Sequence, residues 1–541
     1  MGSPIILCGL GRVGLEILCL LRRLGESVTV ITLPARGSLA QQTSDDRIHV
    51  IEGDARDEAL LGRAGIMQAK ALIAATDDDL VNVTIAMHAR QAAPSLPVVI
   101  RLFDQELGVQ LRSALGIRQG YSSSALAAPA FVAAAQGDRI ETAFELTGEH
   151  WFVETVGLDP GAPWVGRRVG DISADGQVVL ALARSQELAV DPSADRVLAV
   201  GDQLTTLVRR EERTPAASHL WRRLTNALAG FRAFWKSTPS GLRLAFYGLL
   251  ALVLLSVGVF HVALGLSPVD AYYFVITTLT TTGYGDYNLQ TAAPLIKIYG
   301  TLVMVSGGAL FAVLFSMMTD LLLRTRFADV LAQGTRHRRG HVIVAGLGNM
   351  GFRVLRQLAR LGEDVVAVEK SGHGQFLGPA RTLAPVVLGD AGAQEILERA
   401  GLSGCKTVIA VTNDDLTNLS IALATKQARP DCRVVARVFD KALAARMQKT
   451  LRIDAVVSVI DAVAPTFVGS ALDADVLRGV VVRDYLLLFA TRQVGAGPGD
   501  GTDAGGRTLL VQDKDGKYQR PARRPGQGDR TLIARWIPLA K

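Results

Sequence analysis

Residues 277–286 read Thr-Thr-Leu-Thr-Thr-Thr-Gly-Tyr-Gly-Asp, and this polar run lies between two long apolar stretches of the chain. The glycines at positions 283 and 285 permit backbone angles that other residues resist. A cation that sheds its water needs a cage of oxygen atoms, and stacked backbone carbonyls can supply one. The hydroxyl of Thr281 can add a further oxygen. The run therefore predicts an oxygen-lined loop held between two apolar segments.

The two apolar stretches are long enough to cross a membrane. No formally charged residue occurs in 244–268 or in 298–319, and an apolar helix of about 20 residues crosses a bilayer. Residues 269–282 are apolar but too short to span, so we expect a re-entrant pore helix there. Asp270 would lie near its N-terminus, where the helix dipole favours a carboxylate. Buried core helices are the alternative for the two long stretches.

The pentapeptide at 281–285 resembles the selectivity filter of potassium channels, in which four loops place carbonyl oxygens around the ion. The resemblance implies that each chain contributes one filter strand and that four chains form a homotetramer, since one chain cannot enclose a pore. Thr282 stands where the family usually has valine, which bears on fine selectivity and on the rigidity of the filter. The implied filter residues are Thr281, Thr282, Gly283, Tyr284 and Gly285.

Two adjacent glycines, Gly307 and Gly308, interrupt the second apolar stretch. Glycine weakens a helix locally and invites bending, and glycines near this position resemble the gating hinge of two-span potassium channels. Close packing between helices is the equally weighted alternative.

Basic residues are concentrated beside the two spans, whereas the stretch 266–297 between them carries only Lys297. The positive-inside rule predicts that both termini are cytoplasmic, and we expect a multi-pass protein of the cell inner (plasma) membrane that contacts lipid. Residues 213–241 are expected to form a linker with an interfacial or plain helix, and 324–339 a gate linker. The flanking basic residues are Arg209, Arg210, Arg213, Arg222, Arg223, Arg232, Lys236 and Arg243, followed by Arg324, Arg326, Arg336, Arg338 and Arg339.

The soluble parts of the chain contain a long-period duplication. Residues 5–14, Ile-Ile-Leu-Cys-Gly-Leu-Gly-Arg-Val-Gly, match residues 342–351, Val-Ile-Val-Ala-Gly-Leu-Gly-Asn-Met-Gly. Later stretches match at nearly the same offset, including 75–80 with 411–416. Each copy begins strand, Gly-x-Gly-x-x-Gly, helix, and then alternates strands with helices. We therefore predict two α/β, doubly wound parallel sheets.

The glycine motif with its following helix can hold a pyrophosphate, so NAD(H) or an adenine nucleotide is the expected ligand. Glu369 ends the second strand of its copy and can bind ribose hydroxyls; the aligned Thr32 is a poorer acceptor, whereas Arg12 could meet a phosphate. Either copy could instead be a structural module without ligand. The candidate residues are Gly9, Gly11, Arg12, Gly14, Thr32 and Asp54, and Gly346, Gly348, Asn349, Gly351, Glu369 and Asp390.

The duplicated fold resembles the RCK domain, the regulator of potassium conductance related to TrkA-type subunits. The resemblance implies a helix–turn–helix crossover after each Rossmann lobe, at 121–137 and 457–473, followed by a small α/β lobe, loop-rich in the second copy. The crossovers share Ala128-Pro129 with Ala464-Pro465. The implied domains are a first Rossmann lobe with crossover at 1–138, its small lobe at 139–212, a two-span pore at 242–323, a second Rossmann lobe with crossover at 340–473 and its small lobe at 474–541.

These features together predict a ligand-gated, potassium-selective channel with cytoplasmic nucleotide-sensing domains. The alternatives are a membrane-tethered NAD(P) oxidoreductase and a regulatory subunit of a potassium transporter. No His, Lys or Tyr acid–base constellation follows either copy, so we expect no catalytic residue and no enzyme. The four cysteines lack metal-ligand spacing and are expected to be buried thiols; no metal site is assigned, although divalent ions remain possible effectors. The net charge of +7 sits beside the spans rather than in a nucleic-acid-binding patch.

Overall fold

The computed structural model forms two compact units, one of Met1–His219 with Arg339–Lys541 and one of Leu220–Arg338. Apart from their ends, the linkers predicted at 213–241 and 324–339 lie outside the residues that the structure describes. The described residues are 3–34, 46–103, 105–137, 140–147, 149–174, 177–185, 187–210, 240–324, 338–439, 444, 450–451, 453–473, 475–494, 506–513, 517–521, 525–526 and 528–540.

Each copy of the repeat begins with a six-stranded parallel sheet, so the predicted doubly wound fold is confirmed. The strand orders are β3-β2-β1-β4-β5-β6 and β14-β13-β12-β15-β16-β17. The first sheet consists of β1 Ile5–Cys8, β2 Val28–Thr32, β3 Ile48–Glu52, β4 Ala71–Ala74, β5 Val98–Leu102 and β6 Gln119–Ser122. The second consists of β12 Val342–Ala345, β13 Val365–Glu369, β14 Val386–Leu388, β15 Thr407–Ala410, β16 Arg433–Val438 and β17 Ala455–Ser458.

Helices cover both faces of these sheets, which is why the central strands are continuous apolar runs. The helices of the first copy are Arg12–Arg23, Glu58–Arg63, Asp79–Ala92, Gln105–Leu115 and Ser123–Ala135. Those of the second are Asn349–Arg360, Leu377–Leu383, Gln394–Arg399, Asp415–Ala428 and Val459–Leu472.

The predicted helix–turn–helix crossovers are wrong. In the described residues each crossover is one continuous helix, Ser123–Ala135 or Val459–Leu472, with a proline inside it. An interior proline costs a backbone hydrogen bond. Most residues of the two helices are buried, so burial outweighs that cost.

The crossover helices join the two copies. Helix Ser123–Ala135 packs against Asn349–Arg360, and Val459–Leu472 packs against Arg12–Arg23. One hydrophobic cluster runs through both copies and includes Phe131 and Phe467. Hydrogen bonds also cross the boundary: the Arg433 Nε donates to the Ala134 carbonyl at 2.6 Å. The duplicated domains therefore pair within a single chain.

The small lobes are antiparallel sheets of order β10-β9-β11-β8-β7 and β18-β19-β22-β20-β21. The first also holds the helix Val169–Ala174, whereas the described part of the second contains strands alone, so the α/β expectation fails there. Phe144 and Phe489 join the two lobes, with ring centroids 5.0 Å apart. The strands are β7 Ile140–Leu146, β8 Glu149–Gly157, β9 Val178–Arg184, β10 Glu187–Val190, β11 Gln203–Arg210, β18 Val476–Val482, β19 Tyr485–Gln493, β20 Gly506–Gln512, β21 Tyr518–Gln519 and β22 Arg530–Pro538.

The cysteines differ in part from expectation. Cys19 is exposed, because it lies on the outer face of its helix, and the other three are buried. Cys405 and Cys432 are free thiols whose sulfur atoms lie 3.3 Å apart.

The second unit contains three helices, Ser240–Leu264, Pro268–Leu279 and Pro294–Arg324. Within them Arg243–Leu264 and Pro294–Ser316 are long and apolar enough to cross a membrane, and both are mostly exposed, which disfavours the core-helix alternative. The first helix ends earlier than the uncharged run, because Gly265 takes a left-handed φ of 65°.

The short helix Pro268–Leu279 has the N-terminus that the sequence predicts. The Ser267 hydroxyl accepts a hydrogen bond from the Asp270 amide at 3.1 Å and donates one to the Asp270 carboxylate at 2.7 Å. Proline occupies the first helical turn, where its missing N–H costs little. The helix packs between the two long helices through Phe274, Val275 and Leu279.

Candidate functional site

The filter-like loop follows directly from the short helix Pro268–Leu279. The amides of Thr282 and Gly283 both donate to the Thr277 carbonyl, at 2.9 and 3.2 Å, and so fix the exit of the chain from that helix. Residues 281–286 are exposed on the single chain. A loop that presents polar backbone at membrane depth requires a water-filled lining or further protein around it.

The backbone of this loop alternates in conformation. Thr281, Gly283 and Gly285 have positive φ values of 60°, 51° and 83°, whereas Thr282 and Tyr284 between them do not. An ordinary extended strand points successive groups to opposite sides. Left-handed residues at every second position change that pattern and allow successive carbonyls to face the same side. Positive φ is uncommon at a β-branched residue such as Thr281, and such strain marks functional backbone.

Side chains outside the pentapeptide support the loop. The rings of Tyr273 and Tyr284 are stacked with centroids 6.5 Å apart. The hydroxyl of Thr282, the residue in the usual valine position, lies 2.9 Å from the Thr280 hydroxyl. The Thr281 hydroxyl donates to the Thr280 carbonyl at 2.7 Å.

The two glycines of the long second helix have different surroundings. A Cβ at Gly307 would lie 1.9 Å from Leu279 Cδ2, whereas a Cβ at Gly308 would meet nothing within 4 Å. The helix continues through both residues. Gly307 therefore lets the pore helix approach closely, and the hinge role stays a prediction.

The second copy has a cavity of about 470 Å³ at the carboxyl ends of its strands. Gly346, Gly348, Asn349, Glu369 and Asp390 all line it, as the sequence predicts. Ligands of doubly wound sheets bind at this edge, where the strand order reverses.

Glu369 organises the glycine loop of this cavity. Its carboxylate accepts hydrogen bonds from the amides of Leu347 at 2.7 Å and Ser371 at 2.8 Å. A carboxylate offers about four lone-pair positions, so two remain for a ligand. Beside it, Lys370 and Asp390 form an ion pair at 2.8 Å, and that hydrogen bond holds the pKa of Asp390 below its usual range.

The first copy has a smaller cavity of about 330 Å³, lined by Gly9, Gly11, Thr32 and Asp54. Arg56 lines it as well and binds the Asp54 carboxylate, with Nη2 2.6 Å from Oδ2. This bond holds the pKa of Asp54 below its usual range. The buried Thr32 hydroxyl takes the place of the Glu369 carboxylate.

The third glycine of each motif lies behind the cavity. A Cβ on Gly14 would lie 2.1 Å from the Gly9 carbonyl oxygen, and one on Gly351 would lie 1.7 Å from that of Gly346. Gly14 does not line the first cavity and Gly351 does not line the second. Both allow the first helix to pack closely on the strand, which is the known use of this position.

Arg12 lies away from the first cavity. Its guanidinium stacks over the ring of Phe439 in the second copy, 4.6 Å from the centroid, and Arg437 stacks over the same ring at 4.4 Å. Arg437 also donates to the Asn413 side chain at 2.9 Å, and Asn413 lines the second cavity. The sequence motif predicted that Arg12 would meet a phosphate at the glycine loop of the first copy. Because the two copies pair, its side chain instead contacts Phe439 of the second copy.

Sequence reasoning missed a buried asparagine in each copy. Asn82 accepts from the Thr76 amide at 3.0 Å and donates to the Arg101 carbonyl at 3.0 Å. Asn418 makes the equivalent bonds, accepting from Thr412 at 2.8 Å. Both tie the loop after the fourth strand of the sheet to the next strand. Asn82 and Asn418 stand at matching positions of the two copies, and this match in the sequence could have indicated them.

The acidic run at 77–79 is structural. Asp77 pairs with Arg101, Asp78 caps a helix by accepting from the Val81 amide at 3.0 Å, and Asp79 accepts from the Phe103 amide at 2.9 Å. These bonds indicate that the three carboxylates stabilise the start of the helix and the neighbouring loop rather than bind a cation.

The fold and the loop define a membrane-type pore module flanked by two Rossmann-like domains. The TrkA-N domain model matches residues 5–122 and 342–459, and the ion channel model matches 246–324. The chain thus contains two TrkA-N domains around an ion channel domain and is homologous to potassium channels.

Among its relatives is the voltage-gated potassium channel Kch of Escherichia coli, 26% identical over 48% of this chain and 63% of Kch. Probable potassium channel protein 2 of Methanocaldococcus jannaschii is 24% identical over 42% of this chain and 65% of that protein. The chain thus spans less than two thirds of each. The solved GsuK channel matches 99% of this chain and 77% of its own length, with a TM-score of 0.53 and 14% identity, a likeness of fold alone.

Proposed function

We propose that this chain is one subunit of a homotetrameric, potassium-selective channel whose opening is controlled by a nucleotide. The filter-like loop carries the proposal. Thr281, Thr282, Gly283, Tyr284 and Gly285 form the selectivity filter, and potassium is the permeant ion. Since the loop is exposed on one chain, three further copies around an axis would enclose it.

The duplicated cavities support nucleotide control. The second cavity combines a glycine loop, a helix N-terminus and the Glu369 carboxylate, which suits a phosphorylated ribose such as that of NAD(H) or an adenine nucleotide. The first cavity lacks the ribose-binding carboxylate, so its affinity should be lower. A ligand shifts gating only by its differential affinity for the closed and open states.

The order of the chain supports coupling through the second copy, because it follows the second span directly. The first copy modulates through its intrachain pairing with the second. Both copies are cytoplasmic, in a plasma-membrane protein with both termini inside and lipid around its two spans. The homologues support a channel rather than an enzyme.

Purified protein in potassium-loaded liposomes tests the proposal. We expect potassium efflux with a sodium permeability far below that of potassium, and a rate that changes on adding NAD(H) or an adenine nucleotide. Nucleotide turnover without any ion flux would instead favour the tethered oxidoreductase. The variant Gly283→Asp places a carboxylate in the filter. If its potassium flux equals that of the wild type, the filter assignment is refuted.

A further inference from the structure

A third cavity lies between the two copies, away from both glycine loops. Its volume is about 250 Å³. Its walls come from the crossover helix Ser123–Ala135, strand β7, strand β18 and the helix Asn349–Arg360. This size suits a small molecule or a single phosphate group rather than a dinucleotide.

The cavity is strongly basic. Arg353, Arg356 and Arg360 line it from one helix, where their spacing of three and four residues places them on one face. Arg478 lines it from strand β18. None of the described residues that line it is acidic.

Arg478 is the strongest indication that this cavity suits an anion. It is only 1% exposed, its Nε donates to the Thr142 hydroxyl at 2.6 Å, and its Nη2 has no hydrogen-bond partner. In the described part of the chain it forms no ion pair. Burial lowers its pKa to about 10, so it remains charged at neutral pH. An unpaired buried charge is costly, and a bound anion would remove that cost.

The repeat supplies an internal comparison. A cavity of about 880 Å³ occupies the related position in the other half, where Arg12–Arg23 meets the crossover helix Val459–Leu472. It is lined by the carboxylates Glu16, Glu141, Asp454 and Asp461 and by the arginines Arg23 and Arg433. Arg23 corresponds to Arg360, whereas Glu16 and Thr142 stand at the positions of Arg353 and Arg478. The related cavity is therefore mixed in charge, so the purely basic lining of the Arg478 cavity is a property of its side chains and not of the fold.

We propose that the Arg353–Arg356–Arg360–Arg478 cavity binds a small soluble phosphate monoester or inorganic phosphate, as a second effector site separate from the nucleotide sites. Arginine forms paired, charge-assisted hydrogen bonds to phosphate oxygens. A ligand here would touch both copies, so it would act on the pairing that joins them. The proposal does not depend on the channel being nucleotide-gated.

The test uses full-length protein with inorganic phosphate as the probe, against chloride at matched ionic strength. We expect phosphate to raise the Tm of the wild type and to bind about tenfold more weakly to the double variant Arg356→Gln/Arg360→Gln. Arg381→Gln, an exposed arginine elsewhere in the second copy, should respond like the wild type. Nucleotide affinity should be unchanged in the double variant, which separates this site from the glycine-loop sites.

A second variant tests the buried charge itself. Arg478→Met removes it and should leave the chain at least as stable as the wild type without phosphate, while abolishing the phosphate-dependent rise in Tm. An equal rise in Tm in the wild type and the double variant would overturn the site, as would no rise in the wild type. A rise in Tm with phosphatidic acid micelles but not with inorganic phosphate would contradict the proposal of a soluble ligand.

Discussion

Replacing Glu369 tests the nucleotide site most sharply, because its carboxylate has two separable roles. It holds the glycine loop through the amides of Leu347 and Ser371, at 2.7 and 2.8 Å, and it has lone pairs left for ribose hydroxyls. Hydrogen bonds to a charged group are each worth about 1.5–3 kcal/mol. Loss of one ribose bond in Glu369→Gln should therefore weaken binding by about 10- to 100-fold.

Isothermal titration of the full-length protein with ADP and with 2′,3′-dideoxy-ADP separates the two roles. If Glu369 binds ribose, the substitution should weaken ADP binding strongly and dideoxy-ADP binding little. If it acts only by holding the loop, both ligands should weaken equally. Glu395→Gln, an exposed carboxylate in a neighbouring helix, is the matched control and should change neither affinity. Equal ADP affinity in wild type and Glu369→Gln would refute the ribose role.

Three further predictions concern stability, packing and the filter. Asp202 is buried and accepts hydrogen bonds from Arg184 Nε and Nη2 at 2.8 Å each, which lowers the pKa of Asp202. The ionised pair stabilises the fold above the ordinary carboxyl pKa and this stabilisation is lost as the pH falls, so Asp202→Asn should lower the free energy of unfolding by about 1–3 kcal/mol at pH 7 and by progressively less below pH ~4. Urea denaturation at several pH values measures this difference, and a difference that does not change with pH would contradict the ion pair. Gly307→Ala should lower the Tm through its clash with Leu279 and Gly308→Ala should not, whereas a hinge requires both to change open probability. Thr282→Val should not lower the potassium-to-sodium permeability ratio in bilayer recordings, because the Thr282 hydroxyl bonds Thr280; a fall in that ratio would show that the hydroxyl serves selectivity.

The local fold was predictable because its signals are local. Strands such as Ile5–Cys8 and its counterpart Val342–Ala345 are short apolar runs, and the repeat shows each of them twice. The Ser267–Asp270 cap and the two spans follow from capping chemistry and from length. Gly265 ended the first helix earlier than hydropathy indicated, since hydropathy carries no information on backbone angle.

Features that depend on contacts between the copies were not predictable. Arg12 was assigned to its own glycine loop, but the ring of Phe439 is available to it only because the copies pair. The crossovers are single helices because packing against the other copy buries most of each helix, including Pro465 of the second. The basic cavity brings Arg356 and Arg478 of the second copy together against a wall from the first copy that includes Phe144, and no spacing in the sequence indicates this.

Single-channel recording of the purified protein in a planar bilayer, with potassium on one side and sodium on the other, measures ion selectivity and nucleotide control together. We expect the current to reverse far from zero, in the direction set by the potassium gradient, and the open probability to change when a nucleotide is added to the side bearing the TrkA-N domains. A current that reverses near zero, or no current at any nucleotide concentration, would contradict it.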